Sequence, residues 1–277
     1  MPKTRSLDAL VAKYQHSSPK RRFRLDKIDP ADAPLSAGDH ERDRATTVEL
    51  ADRLDTLQRL LYADRRYKVL VVLQGMDTSG KDGTLRGVFT AMSPLGLRAV
   101  GWKAPTEDER AHDPWWRIHH AMPGNGELVV FNRSHYEDVL VPVVNGQLTP
   151  KQIEQRYRQI NGFERMLTEH GTVICKFMLH ISKDEQRRRL QERLDDTSKH
   201  WKFDVGDLAV RKQWDQYMAA YGAAISATGT RWAPWTVVPA DSKTHRNLMI
   251  ATLLERRMGE LGLRAPDNPA LARVRVR

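Results

Sequence analysis

From Thr47 onward the chain alternates between two hydrophobic rhythms. Val48, Leu50, Leu54, Leu57 and Leu61 recur at helical steps, which predicts an amphipathic helix running to about Tyr62. KVLVVLQG (68–75) is then a short apolar run closed by glycine, the pattern of a strand buried on both faces. Helix follows over about 80–91. LRAVGWKAP (97–105) predicts a second strand, DPWWRIHHAMP (113–123) a helix entered through Pro114, and ELVVFNRS (127–134) a third strand that breaks into polar residues at its carboxyl end. Thr149-Pro150 opens a long helix that Gly171 ends. TVICKFMLHIS (172–182) reads as a fourth strand, and Ser182-x-x-Glu185 as the capping box of the next helix. WTVVPAD (235–241) is a fifth strand, followed by a last helix to about Leu261.

Strands alternating with helices predict an α/β fold, a five-stranded parallel sheet with helices on both faces. Ligands of such sheets bind beyond the carboxyl ends of the strands. LQGMDTSGKDG, GWKAP, FNRSHYED and PADSK all fall at those ends and should converge. Residues 1–45 are polar, with KRRFR (20–24) their densest basic cluster, and read as an arm lying on the surface or reaching a neighbouring subunit. Residues 46–265 form the expected domain, and 266–277 a frayed tail.

Composition narrows the function classes. The chain has 277 residues, 40% hydrophobic and 29% charged, as ordinary globular proteins do. No apolar run approaches the ~20 residues of a membrane span. The basic amino terminus lacks the apolar core and cleavage site of a secretory signal, so a cytoplasmic protein is expected. The lone Cys175, inside a buried strand, reads as an inert core thiol and fits a reducing compartment. A net charge of +10 sets the sign of the partner as anionic without naming it.

The stretch LQGMDTSGKDG (73–83) supplies a candidate. Gly75-x-x-x-x-Gly80-Lys81 is the frame of a phosphate-cradling loop, here between a strand and a helix as the motif requires. Gly75, Met76, Thr78, Ser79, Gly80 and Gly83 are expected to surround phosphate oxygens, with Lys81 as a point charge. Asp82 stands where such loops carry Ser or Thr, and Asp77 lies inside the loop. A carboxylate about 4 Å from a phosphate oxygen costs roughly 4 kcal/mol at an effective dielectric near 20. A divalent cation between them reverses the sign, and magnesium is usually held by one or two carboxylates plus phosphates and water. Asp77 is the better candidate ligand. Asp82 either shares that role or favours the positive end of the helix dipole.

GMDTSGKDGT, FNRSHYEDVLV, KHWKFDVGDL and WAPWTVVPADSK together resemble the motifs of the family-2 polyphosphate kinases, over roughly residues 47–261. The resemblance implies a P-loop kinase fold like that of thymidylate kinase, and transfer of phosphate between inorganic polyphosphate and adenine, or also guanine, nucleotides. It implies Mg2+, with Mn2+ as a substitute, and no membrane or nucleic-acid partner. A homo-oligomer, dimer or tetramer, is the expected assembly. Many members have Asp-Arg-Ser where this chain has Asn132-Arg133-Ser134, which places more of the metal-binding charge on Asp77. The continuation His135-Tyr136-Glu137-Asp138 resembles the subgroup that phosphorylates AMP as well as ADP.

Phosphoryl transfer needs positioned anions and neutralised charge more than covalent chemistry. Arg133, at the mouth of the third strand, is expected to clamp phosphates with Asp77 and Lys81 at the reacting centre. Glu137 faces ribose, a water or the metal. Arg188, Arg189 and Arg193 lie on the helix after Ser182. With Lys199 and Lys202 they suggest a lid over about 184–215 that closes on the phosphate chain. Lys103 and Lys243 end strands at the same cleft, as ligand contacts or surface ion pairs. Trp115, Trp116, Trp214, Tyr217 and Tyr221 read as core, whereas Trp232 and Trp235 flank a place where a base could lie. His119 and His120 read as structural. Two other functions fit parts of the pattern: an ATP-dependent nucleoside monophosphate kinase, and a basic nucleic-acid-binding protein with a vestigial loop, which leaves Asp77 unexplained.

Overall fold

The computed structural model describes residues 6–269, 271 and 274–275. The amino-terminal segment opens with α1 (Leu7–Val11) and β1 (Gln15–His16), and α2 (His40–Asp64) follows. The helix α2 begins earlier than its apolar repeat because Asp39 caps it, accepting from the backbone N–H groups of Glu41 and Arg42. Its first two turns are polar and carry no hydrophobic signal. Next come β2 (Lys68–Gln74), α3 (Lys81–Thr84), which widens into a π turn over 85–89, and β3 (Leu97–Gly101). Short helices α4 (Glu107–Ala111) and α5 (Trp116–His120) lead to β4 (Leu128–Asn132), α6 (Glu137–Val144) and α7 (Pro150–Glu169). The chain ends with β5 (Thr172–His180), α8 (Lys183–Asp195), α9 (Gly206–Lys212), α10 (Trp214–Thr228), β6 (Trp235–Pro239) and α11 (Lys243–Gly259).

Among the described residues six strands form one sheet, in the order β1-β6-β5-β2-β4-β3. The five predicted strands are all there and all parallel; β1 is the addition, pairing antiparallel with β6 through Gln15 opposite Thr236. A strand of two residues is too short for its alternation to be read. Val11, Tyr14, Leu25 and Ile28 of the amino-terminal segment are buried in the common core, so this stretch lies against its own sheet and α10. Part of the tail expectation falls outside the described residues.

The central strands explain the apolar runs. Val69 through Leu73 are fully buried, and β5 is buried at every position. Lys176, in the middle of β5, is the exception in kind. Its ammonium donates to Glu164 Oε2 at 2.6 Å, Tyr136 Oη at 2.8 Å and the Thr228 carbonyl at 2.9 Å. Tyr136 in turn donates to Glu164 Oε1 at 2.8 Å. Burial alone would push the Glu164 carboxyl up, but Lys176 and His135 beside it hold it below its ordinary value.

Cys175 is buried and its thiol is pushed up to about 12 by burial, as an inert core residue should be. Trp214, Tyr217 and Tyr221 are buried, and Trp115 stacks on Phe163 at 4.3 Å. Trp235 is buried too, its indole donating to Thr228 Oγ1, so it offers no face to a base. One expectation about local structure is corrected. Ser182 accepts from the Glu185 N–H, yet Glu185 turns to Arg188 and Arg189 instead of reaching back, so the box is half formed. Complete boxes occur instead at Thr106/Glu109 and Thr149/Gln152.

Candidate active site

The carboxyl ends of β2 and β4, the loop after β3, and the amino-terminal turns of α3 and α11 converge on one cleft of about 900 Å³. Helix α8 and the segment 199–207 form its far wall. A second cavity of about 740 Å³ lies between Phe23, Leu25 and Met218 of α10, with no phosphate-loop residue in its lining.

The turn after β2 needs its glycines. Gly75 has φ +148°, and a Cβ there would stand 2.6 Å from the Leu179 carbonyl oxygen. Gly80 has φ +103°, and a Cβ there would stand 1.9 Å from an Arg246 guanidinium nitrogen. Thr78 (φ +64°) and Arg133 (φ +66°) adopt left-handed backbone without being glycine. Such strain gathers at functional sites because the surrounding structure must impose it. Lys81 is buried and donates to the carbonyls of Gly75 (2.7 Å) and Met76 (3.1 Å). Burial, and then the charge of Arg133, push its ammonium down to about 8.

The carboxylates meet partners from the third predicted strand end. Asp77 Oδ1 accepts from Arg133 Nη2 at 2.5 Å, and Arg133 Nη1 lies 3.6 Å from Glu137 Oε2. Asp82 Oδ1 accepts from the Asn132 amide at 2.7 Å and Asp82 Oδ2 lies 3.7 Å from Lys202. Asp82 therefore faces the cleft instead of merely sitting on a helix end. Asn132, which cannot bring a charge, orients the charge that Asp82 brings.

The sequence-predicted residues divide by position. Asp77, Thr78, Gly80, Lys81, Asp82, Gly83, Lys103, Asn132, Arg133, Arg189, Arg193, Lys199, Lys202 and Lys243 line the cleft. Gly75, Met76 and Ser79 form the underside of the loop. Ser134 is buried below the floor, donating to Gln74 Oε1, whose amide nitrogen donates to Glu137 at 2.5 Å. Arg188 does not join the others. It is not among the cleft-lining residues and is half exposed, bonded to Glu185 and to Glu192 at the cleft edge, because one residue of helix sets it off from the face that Arg189 and Arg193 share. Arg189 lies beneath the loop: all five of its N–H donors go to Glu185 and to the carbonyls of Thr78, Ser79, Ala240 and Asp241. Arg193 donates to the Lys202 carbonyl at 2.9 Å and lies 3.4 Å from Asp207.

Sequence reading passed over Arg86, Trp102, Glu192, Trp201, Asp204, Asp207 and Arg246, which also line the cleft. Four of these carried a signal, Trp201 and Asp204 by lying within the motif KHWKFDVGDL. Arg246 follows Lys243 at a helical step of three, and Asp207 lies within the motif KFDVGDL. Burial, and then the charge of Asp77, raise the Asp207 carboxyl to about 6. Lysines and arginines outnumber carboxylates along the lining, so the cleft suits a polyanion.

Among the described residues no group of three or more His, Cys, Asp or Glu side chains is placed to hold a metal ion. Asp77 and Asp82 flank the loop as two carboxylates that need phosphate oxygens and water to complete a shell. That donor set fits a hard divalent cation.

The family model described as Polyphosphate kinase 2 (PPK2) matches residues 37–261. The chain belongs to the polyphosphate kinase 2 family. This polyphosphate kinase 2 sequence is 50% identical over 250 residues to a Meiothermus ruber protein named AMP/ADP-polyphosphate phosphotransferase, covering 90% of this chain and 93% of that one. A Rhodopseudomonas palustris protein named ADP-polyphosphate phosphotransferase is 40% identical over 229 residues, 78% of this chain and 79% of that one. The crystal structure of polyphosphate kinase 2 from Arthrobacter aurescens TC1 superposes with a TM-score of 0.87 at 43% identity, covering 92% of this chain and 93% of that chain. The P-loop kinase fold and the family expected from the motifs are thus both found.

Proposed function

We propose that this polyphosphate kinase 2 transfers the terminal phosphoryl group of inorganic polyphosphate to AMP and ADP, giving ADP and ATP, reversibly and with Mg2+. The observation that carries the reading is one strand-end cleft whose basic side chains extend from the phosphate loop to α8 and α11. Lys81 and the loop N–H groups hold the donor's terminal phosphates. Arg133 moves from its ion pair with Asp77 to the transferring phosphoryl, which frees the Asp77 carboxylate for the cation. Asp77 and Asp82 are the carboxylates that would hold the divalent cation, which would supply neutralising charge to the transferring phosphoryl. Arg193, Lys199 and Lys202, on a lid over about 184–215, close over the chain and exclude water. Lys103 faces the acceptor phosphate from the opposite wall.

Residence in the cytoplasm and assembly as a dimer or tetramer belong to the same reading. No helix of the described residues is long and apolar enough to cross a membrane. The test is a donor–acceptor matrix, polyphosphate or ATP against AMP, ADP, GMP and GDP, with and without Mg2+. ATP from ADP and ADP from AMP, each dependent on polyphosphate and metal, are the expected products. Activity with ATP alone as donor would make the chain a nucleoside monophosphate kinase.

A further inference from the structure

Two arginines lie near each other under the phosphate loop, and their bonding is opposite. Arg189 has every donor satisfied by carbonyls and Glu185. Arg246, in the first turn of α11, is only 3% exposed and forms no salt bridge among the described residues. Its guanidinium donates to Asn247 Oδ1 alone, from Nε at 3.2 Å and Nη2 at 3.0 Å. Nη1 has no hydrogen-bond partner among the described residues and points at the loop, where a Cβ on Gly80 would stand 1.9 Å away.

Three effects work against a cation at that point. Burial removes its water, the charge of Arg189 opposes it, and the two together push it down to about 9. The amino-terminal end of α11 adds the positive end of a helix dipole. A buried charge left without a counter-charge destabilises the fold, and folded proteins pair such groups almost without exception. Packing gives no reason to keep it, since an uncharged side chain of similar length would fill the space. The guanidinium lines the cleft beside Gly80 and Gly83, so the counter-charge it lacks can arrive only from there.

We infer that Arg246 is a binding residue for the polyphosphate donor, its fork holding a phosphoryl group seated over Gly80 and Gly83. The phosphate loop seats donor phosphates in this class of kinase, which separates the inference from the acceptor nucleotide. It rests on the proposed function for the identity of the anion. The two glycines are explained as well, because any side chain at either would fill the space the fork occupies.

The experiment compares thermal unfolding of the full chain and of Arg246→Met and Arg246→Lys, alone, with inorganic polyphosphate and with AMP, alongside the Michaelis constants. Without ligand, Arg246→Met should unfold at the wild-type temperature or above it, since a buried unpaired charge is gone. Its apparent dissociation constant for polyphosphate should rise about tenfold or more, the scale of a hydrogen bond to a charged group. The response to AMP should stay unchanged. Arg246→Lys keeps the charge without the fork and should fall between the two. Should either folded variant bind polyphosphate as the wild type does, the residue is structural and the inference is overturned. If Arg246→Met does not fold, Arg246→Lys alone decides. A wild-type chain that polyphosphate does not stabilise overturns the function and the inference together, whereas wild-type binding with no loss in the variants overturns only the inference.

Discussion

Two regions of this molecule bury charge, and they do so on different terms. Under the sheet, Lys176 spends its three donors on Glu164, Tyr136 and the Thr228 carbonyl, and Glu164 is met by Lys176, Tyr136 and His135. Around the Lys176–Glu164 pair that network is closed, although the buried Nδ1 of His135 beside it has no partner among the described residues. In the cleft, Arg246 finds only an amide oxygen, Lys81 leans on carbonyls of its own loop, and Asp207 is raised to about 6 by burial and the charge of Asp77. The difference teaches how to tell support from site. A charged group whose hydrogen bonds are complete within the protein holds structure, whereas one left incomplete is a place for a ligand.

The largest expected effect lies in the closed region. Lys176→Met leaves the Glu164 carboxylate buried and uncompensated, and should lower unfolding free energy by about 3–5 kcal/mol. Adding Glu164→Gln should recover most of that loss. Urea unfolding of the single and double variants checks both statements. A loss below about 1 kcal/mol in the single variant would mean that a closed network need not support the fold, and the comparison would break.

Next comes the open region, where the loss should appear in turnover and leave folding nearly untouched. Asp77→Asn keeps the shape but not the charge, and should cut turnover by more than about a hundredfold, roughly 2.7 kcal/mol on the barrier. Part of that should return with more magnesium or with manganese, because an amide oxygen still ligates weakly. Lys81→Ala should be as damaging yet insensitive to metal concentration. Removing the metal with a chelator should silence the wild type reversibly. If Asp77→Asn keeps normal turnover and metal response, the carboxylate is structural and Arg133 is its only purpose.

How much of this was legible in the sequence depends on how local each cause is. Four of the five parallel strands were readable because a strand buried on both faces is apolar throughout, as KVLVVLQ shows, whereas β3, at the sheet edge, is partly exposed and is placed by its position in the alternation. The convergence of the strand ends followed from topology. What escaped notice was set by distant partners. Strand β1 is a strand only because β6 offers it an edge. The roles of the α8 arginines turn on which side of the helix each one faces and on what waits there. Arg189 and Arg188 are neighbours in sequence, but one braces the loop and the other meets solvent. Asn132 looked like a lost metal ligand, until Asp82 was found within hydrogen-bond reach across the cleft.

Arg188 makes the smallest prediction and the sharpest use of the comparison. It shares a helix and a charge with Arg189 and Arg193, and a basic run alone gives no reason to separate them. Its side chain is 54% exposed and engages Glu185 and Glu192, the latter at the cleft edge. Exposed pairs of this kind are worth about 0.2–1 kcal/mol, so Arg188→Ala should change unfolding free energy by no more than that. It should leave the Michaelis constant for polyphosphate within about twofold of the wild type at every chain length, because a residue contributing no direct contact loses only screened long-range attraction. Arg193→Ala, on the cleft side one turn further on, should raise that constant, and more for long chains than for short ones. Measuring both variants against polyphosphates of defined length in the same buffer removes differences of ionic strength. A chain-length-dependent rise for Arg188→Ala equal to that for Arg193→Ala would show that α8 rotates when substrate binds and brings Arg188 to the chain. Completeness of hydrogen bonding would then have failed as a guide at the one element expected to move.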